Sequence, residues 1–290
     1  MMELTRREAL TATTGAVMGL AAKPCKLTDA GWAWEGQGLD VDIRPTIFGV
    51  GEGVTWFGLK KAVYMFHPND ELAMSRMRHL DDVVLHVMKY DFRTGRLIKP
   101  NGKRTHAIYL DVSCEPDDML AETRNVVRLS RAWRNISGGF HDDMLGCIKD
   151  TKVAAGKYAG IYRALKENPR LKMWSVVYTH ELDPARWAGF LPYMDIVNLW
   201  VWNSKDLVNL DRDLDRCLEI FPGKPVNLGV YLRDYPNNAP VPMDRLKYQC
   251  ERVLNYMAAG KITGYSILGS CLIDEQQAQA DWVKDFIKAN

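Results

Sequence analysis

The feature that most constrains the fold is an alternation, from Ala62 onward, of short apolar segments with longer amphipathic segments. Eight apolar segments are typical of strands, and helical patterns lie between most of them. Strands that are apolar along nearly their whole length indicate a parallel sheet covered by helices. Eight strand–helix units match a (β/α)8 barrel, which takes about 250 residues. The predicted strands are Ala62–His67, Val83–Met88, His106–Val112, Ser137–Asp143, Met173–Thr179, Ile196–Trp202, Val226–Leu232 and Tyr265–Ser270.

Two segments depart from this alternation. Lys89–Thr105 carries turn signals and predicts either a missing helix or an elaborated loop over the site. Gly31–Gly58 lies outside the eight units and is predicted to plug the barrel or to build part of a cleft. The predicted fold class is therefore α/β, a single (β/α)8 TIM barrel with an irregular N-terminal extension. Its domain spans 26–290, with regular units from about residue 62. An open doubly wound sheet lacks support, because no glycine-rich phosphate loop follows any strand.

The N-terminus predicts export. Arg6 and Arg7 precede an uncharged stretch, Ala9–Ala22, which ends at Lys23-Pro24. This pattern resembles the twin-arginine signal of bacterial proteins that are exported already folded, and it implies a periplasmic or extracellular protein. The alternative is an amphipathic or disordered tail over residues 1–25. The stretch is too short to span a bilayer, so no membrane association is expected of the mature form.

Composition narrows the function classes. Thirty-eight Lys and Arg residues against thirty-six Asp and Glu residues leave a formal charge of +2, so no basic field favours a nucleic-acid partner. Nine Trp and twelve Tyr residues supply flat rings for a core or for a binding cleft. The six Cys residues show no metal-finger spacing and no disulfide framework. If the chain folds before export, most of them are expected to be buried thiols.

The predicted chemistry lies where the strands end, because active sites of this fold are built from the loops at the carboxyl ends of the strands. The sharpest element is Gly138–Asp143, in which two glycines precede a pair of aspartates. Side chains alternate along a strand, so one aspartate is expected to face the pocket and the other to support it. Asp143 has the alternative role of capping the next helix.

Hydrolysis of a glycosidic bond needs a second carboxyl group, about 5 Å away for retention or about 6.5–9.5 Å for inversion. Its candidates are Glu181, Asp234 and Asp111.

Aromatic and polar residues at the same strand ends predict substrate binding. Trp200 and Trp202 are two residues apart and face the same side of their strand, so the upper ring is predicted to form a sugar subsite and the lower one to fill the core. The predicted catalytic residues are Asp142, Asp143, Asp234 and Glu181. The predicted substrate-binding residues are Asp111, His141, Tyr178, Trp200, Trp202, Asn203, Tyr231, Arg233 and Lys89.

These strand ends resemble those of bacterial glycoside-hydrolase-like TIM-barrel proteins. The likeness rests on the segments Gly138–Asp143, Tyr178–Leu182, Leu199–Asn203 and Gly229–Tyr235. In many retaining members the acid/base follows the fourth strand and the nucleophile follows the seventh. The resemblance therefore implies Asp142 or Asp143 for the first role and Asp234 for the second. Those members usually carry Glu at both positions, after an Asn, so the stereochemical outcome stays open here.

The sequence thus predicts a glycosidase acting on an oligo- or polysaccharide, with Asp142 and Asp143 in acid/base roles. Two alternatives stay open: a metal-assisted hydrolase or lyase at the same strand ends, and a barrel that binds carbohydrate without cleaving it. No metal or other cofactor is expected, because no His-x-His pair ends a strand and no HExxH segment occurs. A serine hydrolase is disfavoured by the lack of a GxSxG segment. The sugar and the oligomeric state are not predicted.

Overall fold

The computed structural model describes residues 26–35, 46–98, 104–151 and 155–290. Eight parallel strands close into a barrel in the order β1, β2, β3, β6, β7, β8, β9, β12 and back to β1. The predicted (β/α)8 barrel is therefore confirmed. The barrel strands are β1 Gly31–Trp34, β2 Lys61–Tyr64, β3 Asp82–His86, β6 Ile136–His141, β7 Lys172–Tyr178, β8 Ile196–Trp200, β9 Val226–Tyr231 and β12 Gly264–Leu268.

One barrel strand was wrongly assigned from the sequence. His106–Val112 belongs to β5 (Arg104–Ser113), which pairs antiparallel with β4 (Lys89–Ile98) as a hairpin outside the barrel. The missing strand is β1, which lies inside the segment predicted as an irregular extension. Its residues are all buried, and it pairs with both β2 and β12. Regular barrel structure therefore begins at residue 31, not at about 62.

The helices that the structure describes cover the outside of the barrel and connect its strands. The amphipathic patterns that the sequence analysis found between the apolar segments correspond to helices. Their bounds, with the shorter helices, are α1 Leu27–Ala30, α2 Val50–Trp56, α3 Glu71–Arg76, α4 Pro116–Ala132, α5 Met144–Thr151, α6 Ala155–Leu165, α7 Pro184–Trp187, α8 Leu210–Ile220, α9 Met243–Ala258 and α10 Gln277–Ala289. None of the helices in this described part is long and apolar enough to cross a membrane.

Aromatic rings fill the inside of the barrel. Trp34 packs against Phe140 and Trp200, with ring centroids 4.9 and 5.2 Å away, and Trp32 packs against Trp174 at 4.7 Å. Gly229 makes room for Trp200, because a Cβ at this position would lie 2.0 Å from the indole ring. The tryptophan-rich composition thus serves the core first, and Trp34 and Trp200 close the core at the carboxyl end of the barrel.

The cysteines divide into two groups. Cys217, Cys250 and Cys271 are buried thiols, as predicted. Cys114 and Cys147 form a disulfide that joins the loop after β5 to α5, which the sequence did not predict. The two residues are 33 positions apart, so no spacing motif marked them as partners. The predicted export segment, residues 1–25, lies outside the described residues.

Candidate active site

A cavity of about 460 Å³ opens where the barrel strands end. Trp34 and Trp200, each 2% exposed, form its floor. Met65 and Met88, which follow β2 and β3, extend this apolar surface. A cavity of this size, with ring-shaped walls and a few polar groups, suits a small organic ligand such as one sugar unit. The other rings that line it are Phe66, Tyr90, Tyr178, Trp202, Tyr231 and Tyr235.

Asp142 and Asp143 both line this cavity, and we refer to them as the acidic pair. The sequence predicted that only one of them would face the pocket, and this is wrong. Strand alternation stops at His141, where β6 ends, and Asp143 has a backbone φ of +43°. A left-handed residue turns the chain, so the two side chains no longer point to opposite sides. Asp142 is half-buried and Asp143 is exposed.

The acidic pair contains two different carboxyl groups. Burial raises the pKa of Asp142 well above its ordinary value, and the negative charge of Asp143 raises it further. The carboxylate of Asp143 accepts a 2.6 Å hydrogen bond from the hydroxyl of Tyr178. Burial thus favours the protonated form of Asp142, whereas the carboxylate of Asp143 is held by a hydrogen-bond donor. The two carboxyl groups differ in the way that acid/base catalysis requires.

Tyrosines surround the acidic pair. Burial raises the pKa of Tyr178, Tyr231 and Tyr90, and negative charge at Asp143 raises the pKa of all three further. These phenols accordingly stay protonated and act as hydrogen-bond donors. The Tyr178 hydroxyl donates to Asp143, and Tyr178 and Tyr231 are themselves coupled through a side-chain hydrogen bond.

Trp202 and Tyr235 form a stacked pair at the mouth of the cavity. Their ring centroids lie 5.3 Å apart at an interplanar angle of 14°, and Trp202 is 40% exposed. Its ring also contacts Tyr178 edge-on at 5.8 Å. An exposed indole held by neighbouring rings is a flat surface on which a sugar ring can stack. The predicted distinction between a core-filling Trp200 and an upper, cavity-facing Trp202 matches this placement.

The floor contains a polar group that the sequence did not reveal. In the described part of the chain, the buried indole N–H of Trp34 has no hydrogen-bond partner. A buried donor without a partner is uncommon in folded proteins. Trp34, Tyr90 and Tyr235 were not assigned to the site from the sequence. The unusual density of rings in Gly31–Gly58 was the only available signal for Trp34.

Asp234 and Glu181 lie outside the cavity lining. Asp234 is 3% exposed, and its Oδ2 accepts a hydrogen bond from Ser204. It belongs to a separate small cavity of about 10 Å³, and Trp202 and Tyr231 line both cavities. Glu181 accepts a hydrogen bond from the backbone N–H of Tyr178 at 3.2 Å. Burial raises its pKa, and the hydrogen bond from Tyr178 and the charges of His180 and Arg186 act in the opposite direction. The structure therefore does not bring either acid together with the acidic pair around this cavity.

Four predicted substrate-binding residues lie outside the cavity lining, and a fifth, Asp111, is described only by its backbone. His141 is 1% exposed and stacks on Tyr158, because as the last residue of β6 it still points into the surrounding protein. Arg233 is buried beside the small cavity, and Asn203 accepts a hydrogen bond from the backbone N–H of Lys205. Lys89 forms an ion pair with Asp118 at 3.3 Å. The backbone of Asp111 belongs to the hairpin, opposite Asp91, and its side chain is outside the described residues.

A second cavity of about 490 Å³ lies next to the exit of β2. Phe66, with a φ of +64°, turns the chain so that Phe66 lines the main cavity while His67 lines the second one. Glu35 is buried and contacts Nδ1 of His67 at 3.1 Å. The hydrogen bond with Glu35 raises the pKa of His67, whereas burial is the main cause of the raised pKa of Glu35.

One group of side chains has the spacing of a metal site. The ligand atoms of Cys114, His141 and Cys147 lie within 4.8 Å of one another. The two sulfurs are joined as a disulfide, however, and a disulfide does not supply thiolate ligands. Burial lowers the pKa of His141 to about 3, so its imidazole is neutral. In the oxidised state, this group is a structural link behind the acidic pair.

The comparisons with known proteins concern the fold. No model of a protein family matches the chain, and no curated protein matches it. The PgaB (BpsB) glycoside hydrolase domain from Bordetella bronchiseptica superposes with a TM-score of 0.54 at 10% identity, over 89% of this chain and 99% of that domain. The Bacteroides uniformis beta-glucuronidase 2 gives a TM-score of 0.50 at 13% identity, over 84% of this chain and 30% of that one. A Pyrococcus furiosus tryptophan synthase alpha-subunit variant gives 0.48 at 9% identity, over 91% and 97%. At these identities the likeness shows the barrel fold alone, which different enzyme classes share.

Proposed function

We propose that this protein is a glycoside hydrolase whose active site is the cavity lined by the acidic pair. The observation that carries the proposal is that two carboxyl groups of different environment line one cavity: burial raises the pKa of Asp142, and Asp143 accepts a hydrogen bond from Tyr178. Cleavage of a glycosidic bond needs a proton donor for the leaving oxygen and a negative charge near the sugar ring, whose transition state resembles an oxocarbenium ion. Asp142 supplies the first and Asp143 the second.

The walls of the cavity support a carbohydrate ligand. The stacked Trp202 and Tyr235 offer a flat apolar face, and the phenols of Tyr90, Tyr178 and Tyr231 offer donors for hydroxyl groups. The glycoside hydrolase domains among the structural neighbours are consistent with this proposal, although that likeness concerns the fold.

The test is a panel of oligosaccharides and aryl glycosides with detection of released sugar, using the parent chain and the variants Asp142→Asn and Asp143→Asn. We expect cleavage by the parent and a loss of about 10²–10⁴-fold in kcat/KM for each variant, which is the usual contribution of a positioned acid or base. Asp285→Asn is the matched control, because Asp285 is an exposed carboxylate on α10. Parent-like cleavage by both Asp142→Asn and Asp143→Asn would overturn the proposal. Sugar-dependent thermal stabilisation without cleavage would favour the carbohydrate-binding barrel instead.

We also propose that the protein works after export, in an oxidising compartment. The paired arginines before Ala9–Ala22 support this, and so does the Cys114–Cys147 disulfide, a linkage that is rare in the reducing cytosol of mesophiles. A fusion of residues 1–25 to a folded reporter, with Arg6 and Arg7 replaced by Lys as the control, tests the signal. Export of the reporter that does not depend on the two arginines would contradict a twin-arginine route.

A further inference from the structure

The position of the acidic pair restricts how a glycoside can be cleaved. Asp142 and Asp143 are consecutive residues, and consecutive Cα atoms are about 3.8 Å apart. Both side chains line the cavity from the end of β6. The two carboxyl groups therefore approach a bound sugar from one side of the cavity. They do not flank it.

The opposite side of the cavity has no carboxylate among its described lining residues. In the closed barrel, β12 is four strands away from β6 in either direction, so the two strands stand across from each other. The cavity residue of β12 is Leu268, and the strands beside it, β9 and β1, contribute Tyr231 and Trp34. A protein carboxylate that attacks the sugar, or activates water, from the face opposite the acid would have to stand here. None of these three residues carries one.

Three other acids near the strand ends lie outside the cavity lining and have partners of their own. Glu35 contacts His67 and the backbone N–H of Met65, Asp234 accepts a hydrogen bond from Ser204, and Glu181 accepts one from the backbone of Tyr178. A tyrosine nucleophile is disfavoured too, because burial and neighbouring charges raise the pKa of Tyr178 and Tyr231 and keep the phenols protonated. Among the described residues that line the cavity, the two carboxyl groups therefore stand on one side, and no carboxylate stands on the other.

We infer that the substrate is a glycoside of a 2-acetamido sugar and that its own acetamido oxygen is the nucleophile. This inference rests on the proposed function and specifies the substrate class of the same site. The leaving oxygen is on C1 of the sugar and the acetamido nitrogen is on C2, the adjacent carbon. Two neighbouring carboxyl groups match these two neighbouring positions. The apolar floor formed by Trp34, Trp200 and Met65 offers a surface for the acetamido methyl group.

The reaction then proceeds in two balanced steps. The acetamido carbonyl oxygen forms a bond to C1, the bond from C1 to the leaving oxygen breaks, and that oxygen takes the proton of Asp142. Asp143 holds the acetamido N–H and accepts its proton, which leaves a neutral oxazoline. Water next attacks C1 and gives a proton to Asp142, while the bond between C1 and the acetamido oxygen breaks and Asp143 returns its proton to the nitrogen. Two displacements at C1 retain its configuration.

The experiment compares 4-nitrophenyl glycosides of 2-acetamido sugars with the matching 2-hydroxy glycosides, using the full chain. We expect kcat/KM to be at least about 100-fold higher for the 2-acetamido series, since effective molarities of well-placed internal groups are large. Successive fluorination of the acetyl group should slow cleavage stepwise, because fluorine withdraws electrons from the attacking oxygen. Equal cleavage of the 2-hydroxy glycosides, or no effect of fluorination, would overturn the inference while leaving the glycosidase proposal intact. Cleavage of neither series would overturn both.

A readout other than turnover comes from the thiazoline analogue of the oxazoline, in which sulfur replaces the ring oxygen. We expect it to raise the melting temperature of the parent and of Asp285→Asn, but not of Asp143→Asn, which lacks the carboxylate that holds the nitrogen.

A second experiment varies the leaving group of the glycoside. Asp142→Asn should lose less activity on dinitrophenyl glycosides, which need no proton, than on alkyl glycosides. Asp143→Asn should lose similar activity on both. An absence of thiazoline binding to the parent, or a leaving-group dependence that is the same for both variants, would contradict the assigned roles.

Discussion

The ends of β6 and β9 carry the same type of side chain in opposite surroundings. After β6 the chain turns at once, and Asp142 and Asp143 line the main cavity. After β9 the chain continues into a two-residue strand, Arg233–Asp234, which pairs with Ala239–Pro240. This pairing keeps Asp234 inside the protein, where it contacts Ser204 and is 3% exposed. An acid at a strand end is therefore a site residue only where the backbone after the strand turns it toward the cavity.

The largest expected effect tests this contrast directly. Asp142→Asn removes the proton donor of the cavity, so we expect kcat/KM to fall by about 10²–10⁴-fold. Asp234→Asn keeps an oxygen that can accept the hydrogen bond of Ser204 and lies outside the cavity, so we expect activity within about threefold of the parent. Steady-state kinetics on the cleaved glycoside measure both. If Asp234→Asn were as damaging as Asp142→Asn, a catalytic carboxylate would have to be assigned to the end of β9.

A similar contrast between a buried and an exposed residue occurs at the end of β8. There, Trp200 is expected to contribute to stability and Trp202 to substrate binding. Trp200 is 2% exposed and packs on Trp34 and Gly229, so Trp200→Ala should lower the free energy of unfolding by about 3–5 kcal/mol. Trp202 is 40% exposed, and Trp202→Ala should cost little stability but raise KM by up to about tenfold through lost stacking. Urea unfolding and kinetics distinguish the two. A large loss of stability for Trp202→Ala would show that its ring is part of the core.

The sequence predicted the barrel because periodicity and strand count are properties of the whole chain. It did not identify β1, since Gly31–Trp34 is only four residues long and carries no β-branched side chain. It took β5 for a barrel strand because an apolar segment does not reveal whether its partner is parallel or antiparallel. Both errors concern pairing, which depends on residues distant in the sequence.

For the site, the sequence predicted which strand ends carry the chemistry but not where each side chain points. Asp142, Asp143, Tyr178, Trp200, Trp202 and Tyr231 all line the cavity. The alternation rule failed at Asp143 because it applies only to extended backbone, and a φ of +43° lies outside that region. Asp234 and Glu181 lie outside the cavity lining, where local backbone structure, a two-residue strand and a short helical turn, sets their directions.

A smaller effect tests the link between Tyr178 and the acidic pair. Tyr178→Phe removes the donor to Asp143 while keeping the ring that contacts Trp202. A hydrogen bond to a charged group contributes about 1.5–3 kcal/mol, so we expect kcat/KM to fall by about tenfold or somewhat more. Tyr193→Phe is the control, because Tyr193 is outside the cavity lining. Equal activity of the two variants would mean that Asp143 does not depend on this donor.

The smallest expected effect concerns stability and pH at the end of β6. Because the pKa of Asp142 is raised in the folded protein, folding binds its proton more tightly, and stability is lost as the pH rises from the ordinary value of 3.8 through the raised pKa. Asn cannot ionise, so Asp142→Asn should melt at the temperature of the parent below about pH 3.8 and at a higher temperature as the pH rises toward neutrality. Each 1 kcal/mol corresponds to about 2–4 °C for a protein of this size. Melting curves from pH 3 to pH 8 measure the difference, with the exposed Asp285→Asn as the control that should follow the parent throughout. A difference that is independent of pH, or that shrinks as the pH rises, would show that Asp142 is not the acid that the fold keeps protonated.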